Sequence, residues 1–222
     1  MLIDFNFSGK NILVVGGGAA SYRKVLRFID AQPKIQVVSK TFSEGMKKLQ
    51  KMKKVDLVKA EVKDVETFIK SLKPKPDLVI AATDNQNLNT ELAVKAKSLG
   101  CMVYTIDNPQ ISDFTLPALA KIGEVKVAIS TAGKSPAMAG ILRRRIEKLI
   151  TEEDMLQIKL QCHVRELLKK KIPDQKVRRK ILYKILENGN VSRFLKEKKF
   201  DKALEEAVKI VEEHRICGNC LE

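Results

Sequence analysis

A run of three glycines at residues 16–18 stands between a short apolar stretch and a segment of helical period. In that setting, glycines permit a tight turn and let the backbone approach a pyrophosphate closely, and Ser21 is small enough for helix and strand to pack. The beginning of the helix adds free N–H groups and a partial positive charge. The pattern predicts a dinucleotide-binding turn whose cofactor-binding residues are Gly16, Gly17, Gly18, Ala19 and Ala20.

The second apolar stretch ends with Ser39 and Lys40, where NAD-binding domains often carry an aspartate or a glutamate. That carboxylate bonds the ribose 2′-hydroxyl of NAD. A serine–lysine pair tolerates or favours a 2′-phosphate instead, so these residue types leave the choice between NAD and NADP open. We expect Ser39 and Lys40 to contribute to the cofactor site.

Polar side chains also follow two later apolar stretches. Thr83 and Asp84 end one of them, and Asp107 ends the next. Because ligands of open α/β folds bind at the carboxyl ends of the strands, we expect all three near the cofactor. Asp84 would serve equally well as a helix N-cap. Asp107 could act as a general base or orient a substrate nitrogen, or it could form a turn before Asn108 and Pro109.

The segment AISTAGKSP, residues 128–136, combines small hydroxyl residues and a glycine with Lys134. Such a loop can bind carboxylates through N–H groups, hydroxyls and one ammonium group. The alternative is an ordinary helix N-terminus that is capped by Ser135 and has Pro136 at its first position. The residue types do not decide between these two interpretations.

These side chains need elements to position them, and the chain between residues 10 and 106 supplies a regular alternation. Five short stretches rich in Val and Ile alternate with segments of helical period. Strands that are apolar throughout, with helices between them, are typical of a parallel sheet covered on both faces. We therefore predict a doubly wound, Rossmann-like α/β domain that binds NAD(P) over residues 1–112.

The pattern changes after this domain. Two extended stretches, near Phe114–Leu116 and Val125–Ser130, precede a helix from about Ala137. Such elements cannot close a core alone, so residues 113–150 are predicted to form a small α+β region that pairs with a symmetric copy. Apolar residues recur only at helical spacing in residues 151–222, which predicts a helical C-terminal domain.

The charge of the chain indicates an anionic partner. Its 222 residues include 42 Lys and Arg against 27 Asp and Glu, which gives a formal net charge of +15. A polyanionic small molecule and nucleic acid both fit that charge, although any single basic cluster is explained by a solvated helix face. Aromatic residues make up only 5% of the chain and do not interleave with the basic runs, which disfavours nucleic acid.

The sequence also bears on location. No stretch approaches the ~20 apolar residues that a membrane span needs, and the first ten residues show no secretory signal. Four cysteines in a chain of this length do not indicate a disulfide framework. We expect a cytoplasmic protein with no membrane partner.

Five segments then carry a resemblance in their order and spacing: GGGAASYRK, AATDNQNLN, YTIDNP, FTLPALAK and VAISTAGKSPAMAGILRRRIE. Over roughly residues 3–150 the chain resembles the precorrin-2 dehydrogenase / sirohydrochlorin ferrochelatase family, which includes the N-terminal half of bacterial siroheme synthases. The resemblance implies a Rossmann domain, a dimerisation region and a helical C-terminal domain. It further implies a homodimer that oxidises precorrin-2 to sirohydrochlorin with NAD, and it leaves metal chelation open.

The resemblance also implies roles for single residues. The essential aspartate of the family corresponds to Asp107, and its adenosine-side residues correspond to Lys40 and Thr41. An Arg-Lys pair of the family stands at residues 23–24, where one cation could face a polycarboxylate substrate. Ala132 stands where many members have glycine, which could stiffen the loop. The expected substrate-binding residues are Arg23, Phe114, Thr131, Lys134 and Ser135.

Alternatives from other classes remain open at this point. The chain could be an NAD(P)-binding regulatory module without catalysis, or a basic nucleic-acid-binding protein. His214, Cys217 and Cys220 form an H-x-x-C-x-x-C pattern that could hold zinc or an iron–sulfur cluster. A full site needs a fourth ligand, for which Cys162-His163 and a second subunit are the candidates, and incidental thiols are the alternative. No metal ligand is therefore predicted.

Overall fold

Alternating apolar stretches and helices build a five-stranded parallel sheet in the first half of the chain. The structure is a computed structural model that describes the backbone of residues 2–218 and the side chains of residues 2–214. The strands run in the order β3-β2-β1-β4-β5. Their bounds are β1 Asn11–Val15, β2 Lys34–Ser39, β3 Asp56–Lys59, β4 Leu78–Ala81 and β5 Met102–Thr105.

Helices cover both faces of this sheet. Successive residues of each strand point to opposite faces, and the residues on both faces are apolar. Ile12 and Val14 of β1 pack in one core with Val25 and Met46. Leu13 and Val15 pack in a second core with Ile69, Leu92 and their neighbours. The helices are α1 Ala19–Val25, α2 Glu44–Lys51, α3 Val65–Ser71 and α4 Gln86–Ser98, with a short 3₁₀ turn at Ile29–Ala31 after α1. The prediction of a doubly wound α/β fold is confirmed.

The rest of the chain begins with a hairpin and continues as helices. Strands β6 Ala118–Ile122 and β7 Val125–Ile129 are antiparallel and form a separate two-stranded sheet. Helix α5 packs against β6. The helices that follow share one core, to which Leu160, Ile181 and Val211 contribute. The bounds are α5 Pro136–Leu149, α6 Glu152–Lys171, α7 Gln175–Leu186, α8 Gly189–Lys196 and α9 Phe200–Gly218.

The extended stretch expected near Phe114–Leu116 is not a strand. Phe114 and Leu116 pack against the core of the parallel sheet instead, and the hairpin begins after Pro117. A proline has no N–H group for a strand ladder, so the ladder starts at the next residue. The stretch at Val125–Ser130 is a strand as expected.

The chain divides into two compact units, Met1–Leu116 and Pro117–Glu222. The division into three regions at residues 112 and 150 stays a prediction. Among residues 2–218, no helix has the length and apolar character that crossing a membrane requires.

Candidate functional site

A cleft of about 760 Å³ opens at the carboxyl ends of the parallel strands. Its walls come from the segments that follow β1, β2, β3 and β4, together with Ile106 after β5. The chain order of the strands reverses between β1 and β4, and open α/β sheets bind their ligands at such a point. The predicted cofactor residues that line this cleft are Gly16, Gly17, Gly18, Ala19, Ala20, Ser39, Lys40, Thr41, Thr83 and Asp84.

Two of the three glycines are required by the backbone of the protein itself. Gly16 has a φ of +118°, and a Cβ atom added there would lie 2.2 Å from the carbonyl oxygen of Ala82. A Cβ atom on Gly17 would lie 2.2 Å from the carbonyl oxygen of Thr41. Ser21 is fully buried and donates a hydrogen bond to the carbonyl of Ala82 over 3.0 Å. The close packing predicted for this turn is therefore present.

Gly18 differs from its neighbours, because a Cβ atom added there would meet no protein atom within 4 Å. Gly18 is the N-cap of α1, and no side chain caps that end of the helix. The cleft thus has open space and uncapped N–H groups beside this glycine. Both features fit the pyrophosphate of a dinucleotide.

Lys40, after β2, forms an ion pair with Glu61, after β3, with 2.7 Å between Nζ and Oε1. The hydrogen bond from Lys40 holds the pKa of Glu61 below its ordinary value. Sequence reasoning missed Glu61, although β2 and β3 are parallel neighbours whose carboxyl ends lie side by side. The carboxylate offsets the charge with which Lys40 would attract a 2′-phosphate.

A hydrogen-bond network joins the ends of β4 and β5. The N–H and Oγ1 of Thr83 donate to Oδ1 of Asn89 over 3.0 and 2.7 Å. Nδ2 of Asn89 donates to the carbonyl of Thr83 over 3.1 Å and to Oδ2 of Asp107 over 2.9 Å. The other oxygen of Asp107, Oδ1, is buried and has no hydrogen-bond partner among the described residues. A buried polar atom without a partner calls for an explanation, such as a catalytic role or a bound water.

Asn89 was also missed by sequence reasoning. It is fully buried, and with Leu92, Ala93 and Ala96 it lies on the buried face of α4. An asparagine at helical spacing among apolar residues must find partners inside the protein. That spacing was the signal by which it could have been found.

The interpretation of Asp84 as a helix N-cap is wrong. The N-cap of α4 is Asn85, whose side chain accepts a hydrogen bond from the N–H of Leu88 over 3.1 Å. Asp84 is exposed at the wall of the cleft.

Arg23 and Lys24, on α1, have different surroundings. The side chain of Arg23 is exposed and forms no ion pair or hydrogen bond with any described residue. The ammonium of Lys24 lies 5.2 Å from the centre of the Tyr104 ring. The ring of Tyr104 in turn lies 5.6 Å from the ring of Phe114. Arg23 is thus the cation of the pair that is free to meet a ligand.

The loop that precedes α5 has a defined local structure. Thr131 accepts hydrogen bonds from the N–H groups of Lys134 and Ser135, over 3.0 and 3.2 Å. Ser135 caps α5 by accepting from the N–H of Met138, and Pro136 is the first residue of the helix. The interpretation as a capped helix N-terminus is confirmed. Lys134 itself is exposed.

Within residues 2–218, no group of three His, Cys, Asp or Glu residues could hold a metal ion. The H-x-x-C-x-x-C pattern is covered only in part, because the side chain of Cys217 and all of Cys220 lie outside the described residues. Cys162 is an exposed free cysteine, and Nδ1 of His163 lies 2.8 Å from the carbonyl oxygen of Lys159.

The sheet order, the glycine turn and the cleft define a dinucleotide-binding α/β protein. A family model described as NAD(P)-binding matches residues 3–118, and a model for the central part of sirohaem biosynthesis proteins matches residues 123–149. A precorrin-2 dehydrogenase of Methanosarcina barkeri is 30% identical over 215 residues, which cover 96% of this chain and 94% of that protein. The chain belongs to the precorrin-2 dehydrogenase family.

Two further comparisons agree with this assignment. A siroheme synthase of Nitrosococcus oceani is 32% identical over 208 residues, which cover 93% of this chain and 43% of that longer protein. The solved structure of SirC, a precorrin-2 dehydrogenase, has a TM-score of 0.75 and 19% identity, and the match covers 94% of this chain and 99% of that one. The structural match confirms the fold.

Proposed function

We propose that this protein oxidises precorrin-2 to sirohydrochlorin with NAD as the hydride acceptor. The observation that carries the proposal is the similarity to a precorrin-2 dehydrogenase along nearly the whole of both chains. The cleft supports it, because its glycine turn has room for a pyrophosphate at Gly18 and Asp107 stands at the neighbouring strand end.

The residues that would hold the cofactor lie around one edge of the sheet. Residues 16–20 would bind the pyrophosphate, and residues 39–41 would contact the adenosine. Thr83 and Asp84 line the same cleft and would contact the remainder of the cofactor. When bound, the nicotinamide supplies the hydride acceptor.

Asp107 is the catalytic residue in this proposal. Oxidation of precorrin-2 removes a proton as well as a hydride. Oδ1 of Asp107 is a buried oxygen that has no hydrogen-bond partner among the described residues. It can accept the proton directly, pass it to water, or hold the macrocycle for reaction. Insertion of a metal ion into sirohydrochlorin would also release protons. We therefore include chelation as a second reaction at the same carboxylate, supported by the siroheme synthases among the relatives.

Cationic and hydroxyl side chains would bind the carboxylates of the substrate. Arg23 is exposed and unpaired among the described residues, and Lys134 is exposed in the loop before α5. Thr131 and Ser135 would contribute hydroxyl groups, and Phe114 would contact the macrocycle. The net charge of +15 would attract such a polyanion from a distance.

A cytoplasmic homodimer joined through residues 113–150 completes the proposal. Of the side chains of β6, β7 and α5, only Ala120 and Ala139 are buried within the chain. A two-stranded sheet is marginally stable without further packing, so a second copy would supply the missing contacts.

Replacement of Asp107 by asparagine tests the proposed chemistry, because it keeps the shape of the side chain and removes its charge. The parent and Asp107→Asn are incubated anaerobically with precorrin-2 and NAD, and reduced cofactor is followed by absorbance. We expect Asp107→Asn to fold and bind NAD normally but to lose about 100-fold in turnover. Turnover within a few-fold of the parent would refute the catalytic role. An inactive parent that binds NAD would instead favour a regulatory module.

The same samples test chelation. Addition of ferrous or cobaltous ion to sirohydrochlorin, with and without protein, reports whether the protein accelerates metal insertion. Equal rates in both samples would remove chelation from the proposal and leave oxidation unaffected.

A further inference from the structure

We infer that Asn89 is a positioning residue that holds one oxygen of the Asp107 carboxylate and thereby orients the other oxygen for the substrate. The inference rests on the catalytic role proposed for Asp107. It assigns a function to a residue that is fully buried and lies behind the wall of the cleft.

The orientation of the Asn89 amide is set by its neighbours. Its Oδ1 accepts from both the N–H and the Oγ1 of Thr83. A backbone N–H can only donate, so the oxygen of the amide must face Thr83, and Nδ2 must face Asp107. Of the two Nδ2 protons, one goes to the carbonyl of Thr83 and the other to Oδ2 of Asp107.

This arrangement makes the two oxygens of Asp107 unequal. Oδ2 accepts the hydrogen bond of Asn89 at 2.9 Å, and Oδ1 is buried without a partner among the described residues. A partial rotation of the carboxylate would break the bond to Asn89 and leave a buried donor without a partner, which is unfavourable. A half-turn would only exchange two equivalent oxygens. The hydrogen bond therefore fixes the plane of the carboxylate and leaves one of its oxygens for the substrate or its proton.

The position of Asn89 in the helix supports a dedicated role. It lies on the face of α4 that Leu92, Ala93 and Ala96 bury, where leucine or alanine would favour the helix more than asparagine. All four hydrogen-bonding positions of its amide are satisfied inside the protein. Through them Asn89 links Thr83, in the segment after β4, to Asp107, in the segment after β5.

The experiment compares the parent with Asn89→Asp and Asn89→Ala. The aspartate keeps the shape and the acceptor for Thr83 but removes the donor to Asp107, and the alanine removes both. Asn188→Asp is the matched control, because Asn188 caps α8 by accepting from the N–H of Val191 and aspartate caps a helix equally well. Thermal unfolding, NAD affinity and turnover of precorrin-2 are measured for each.

We expect both Asn89 variants to lose about tenfold or more in kcat, with NAD affinity within about twofold of the parent. The control should match the parent in all three measurements. Because Asn89 acts through Asp107, adding Asn89→Asp to Asp107→Asn should cause no further loss of kcat.

A second readout does not depend on activity. Both Nδ2 protons of Asn89 are hydrogen-bonded and buried, so its side-chain amide signals should exchange slowly with solvent in a nuclear magnetic resonance spectrum. Asp107→Ala should shift one of these signals and speed its exchange.

Three results would overturn the positioning role. The first is a kcat of the Asn89 variants within about twofold of the parent. The second is an equal further loss of kcat when Asn89→Asp is added to Asp107→Asn, and the third is a loss of folding or of NAD affinity in proportion to the loss of kcat. The last two would make Asn89 a structural residue. Failure of the proposed function would appear differently, as a parent protein that does not oxidise precorrin-2 at all.

Discussion

At the scale of single residues, the three glycines of the turn have two different roles, folding and ligand binding, which the sequence does not distinguish. Gly16 and Gly17 lie against the carbonyl oxygens of Ala82 and Thr41, so they are needed for folding. Gly18 faces open space, so it is free to serve the ligand. Three identical residues in a row therefore have different consequences when they are replaced.

We expect Gly18→Leu to unfold at the same temperature as the parent and to lose NAD binding, because the new side chain fills the space proposed for the pyrophosphate. Calorimetric titration with NAD measures the loss of binding, and a thermal melt measures the unfolding temperature. Gly17→Ala is the contrasting variant and should melt at a lower temperature, since its Cβ atom would collide with backbone. Undiminished NAD affinity in Gly18→Leu would show that the cofactor does not lie at this turn.

The ion pair between Lys40 and Glu61 bears on cofactor choice at the same scale. Glu61→Gln leaves the ammonium of Lys40 without its counter-charge, so NADP affinity should rise by up to about fivefold, the range of an exposed charge pair. NAD affinity should change little. Glu66→Gln is the control, because Glu66 pairs with Lys70 and Lys95 and is absent from the lining of the cleft. An equal rise in both variants would indicate a general charge effect.

At the scale of elements, the carboxylate of Asp77, just before β4, forms hydrogen bonds with residues at the beginning of β1. Asp77 accepts from the N–H of Asn11 over 2.8 Å and from the ammonium of Lys10 over 3.1 Å. The hydrogen bond from Asn11, followed by that from Lys10, lowers the pKa of Asp77. A lowered pKa in the folded state means that the stabilisation is present above the ordinary pKa and is lost as the pH falls through the folded value.

We expect Asp77→Asn to reduce the free energy of unfolding by about 1 kcal/mol at neutral pH, because the group is partly exposed. The difference from the parent should shrink in strong acid, where Asp77 is protonated. Urea denaturation at the two pH values measures it. Asp56→Asn, at the beginning of β3, should have little effect at either pH, and a pH-independent deficit in Asp77→Asn would contradict the ionic explanation.

The sequence predicted elements better than it predicted their contacts. Five strands were recognisable because buried parallel strands are apolar throughout. Of the polar residues at the strand ends, Ser39, Lys40, Thr83 and Asp84 line one cleft, and Asp107 is not part of its lining. The partner of Lys40 was not recognisable, since Glu61 comes from a different strand. The role of Asn85 as N-cap in place of Asp84 depends on backbone angles that two adjacent polar residues do not reveal.

Asn89 is another residue whose tertiary contacts could not be predicted from the sequence. Its spacing from Leu92 could have indicated burial, although no such prediction was made. Its link to Asp107 depends on two strand ends that are neighbours only in the folded sheet. Local patterns fix which residues are buried, whereas the pairing of buried polar groups is a property of the tertiary structure.

At the scale of the whole molecule, the second unit leaves apolar surface uncovered. Met138, Ile141 and Leu149 on α5 are all exposed in the single chain. We expect the parent to sediment as a dimer at micromolar concentration and Ile141→Glu to shift it toward monomer, because a buried charge opposes association. Val94→Glu, at an exposed valine on α4, is the control. A monomeric parent would contradict the proposed homodimer.

In the proposed reaction, a hydride passes from precorrin-2 to NAD on this protein. The most direct measurement follows both products in one anaerobic sample by absorbance, as reduced cofactor and as sirohydrochlorin. We expect the two products to appear together in a one-to-one ratio with the parent protein, and we expect Gly18→Leu to form neither. NAD binding without formation of either product, or sirohydrochlorin formed without reduced cofactor, would contradict it.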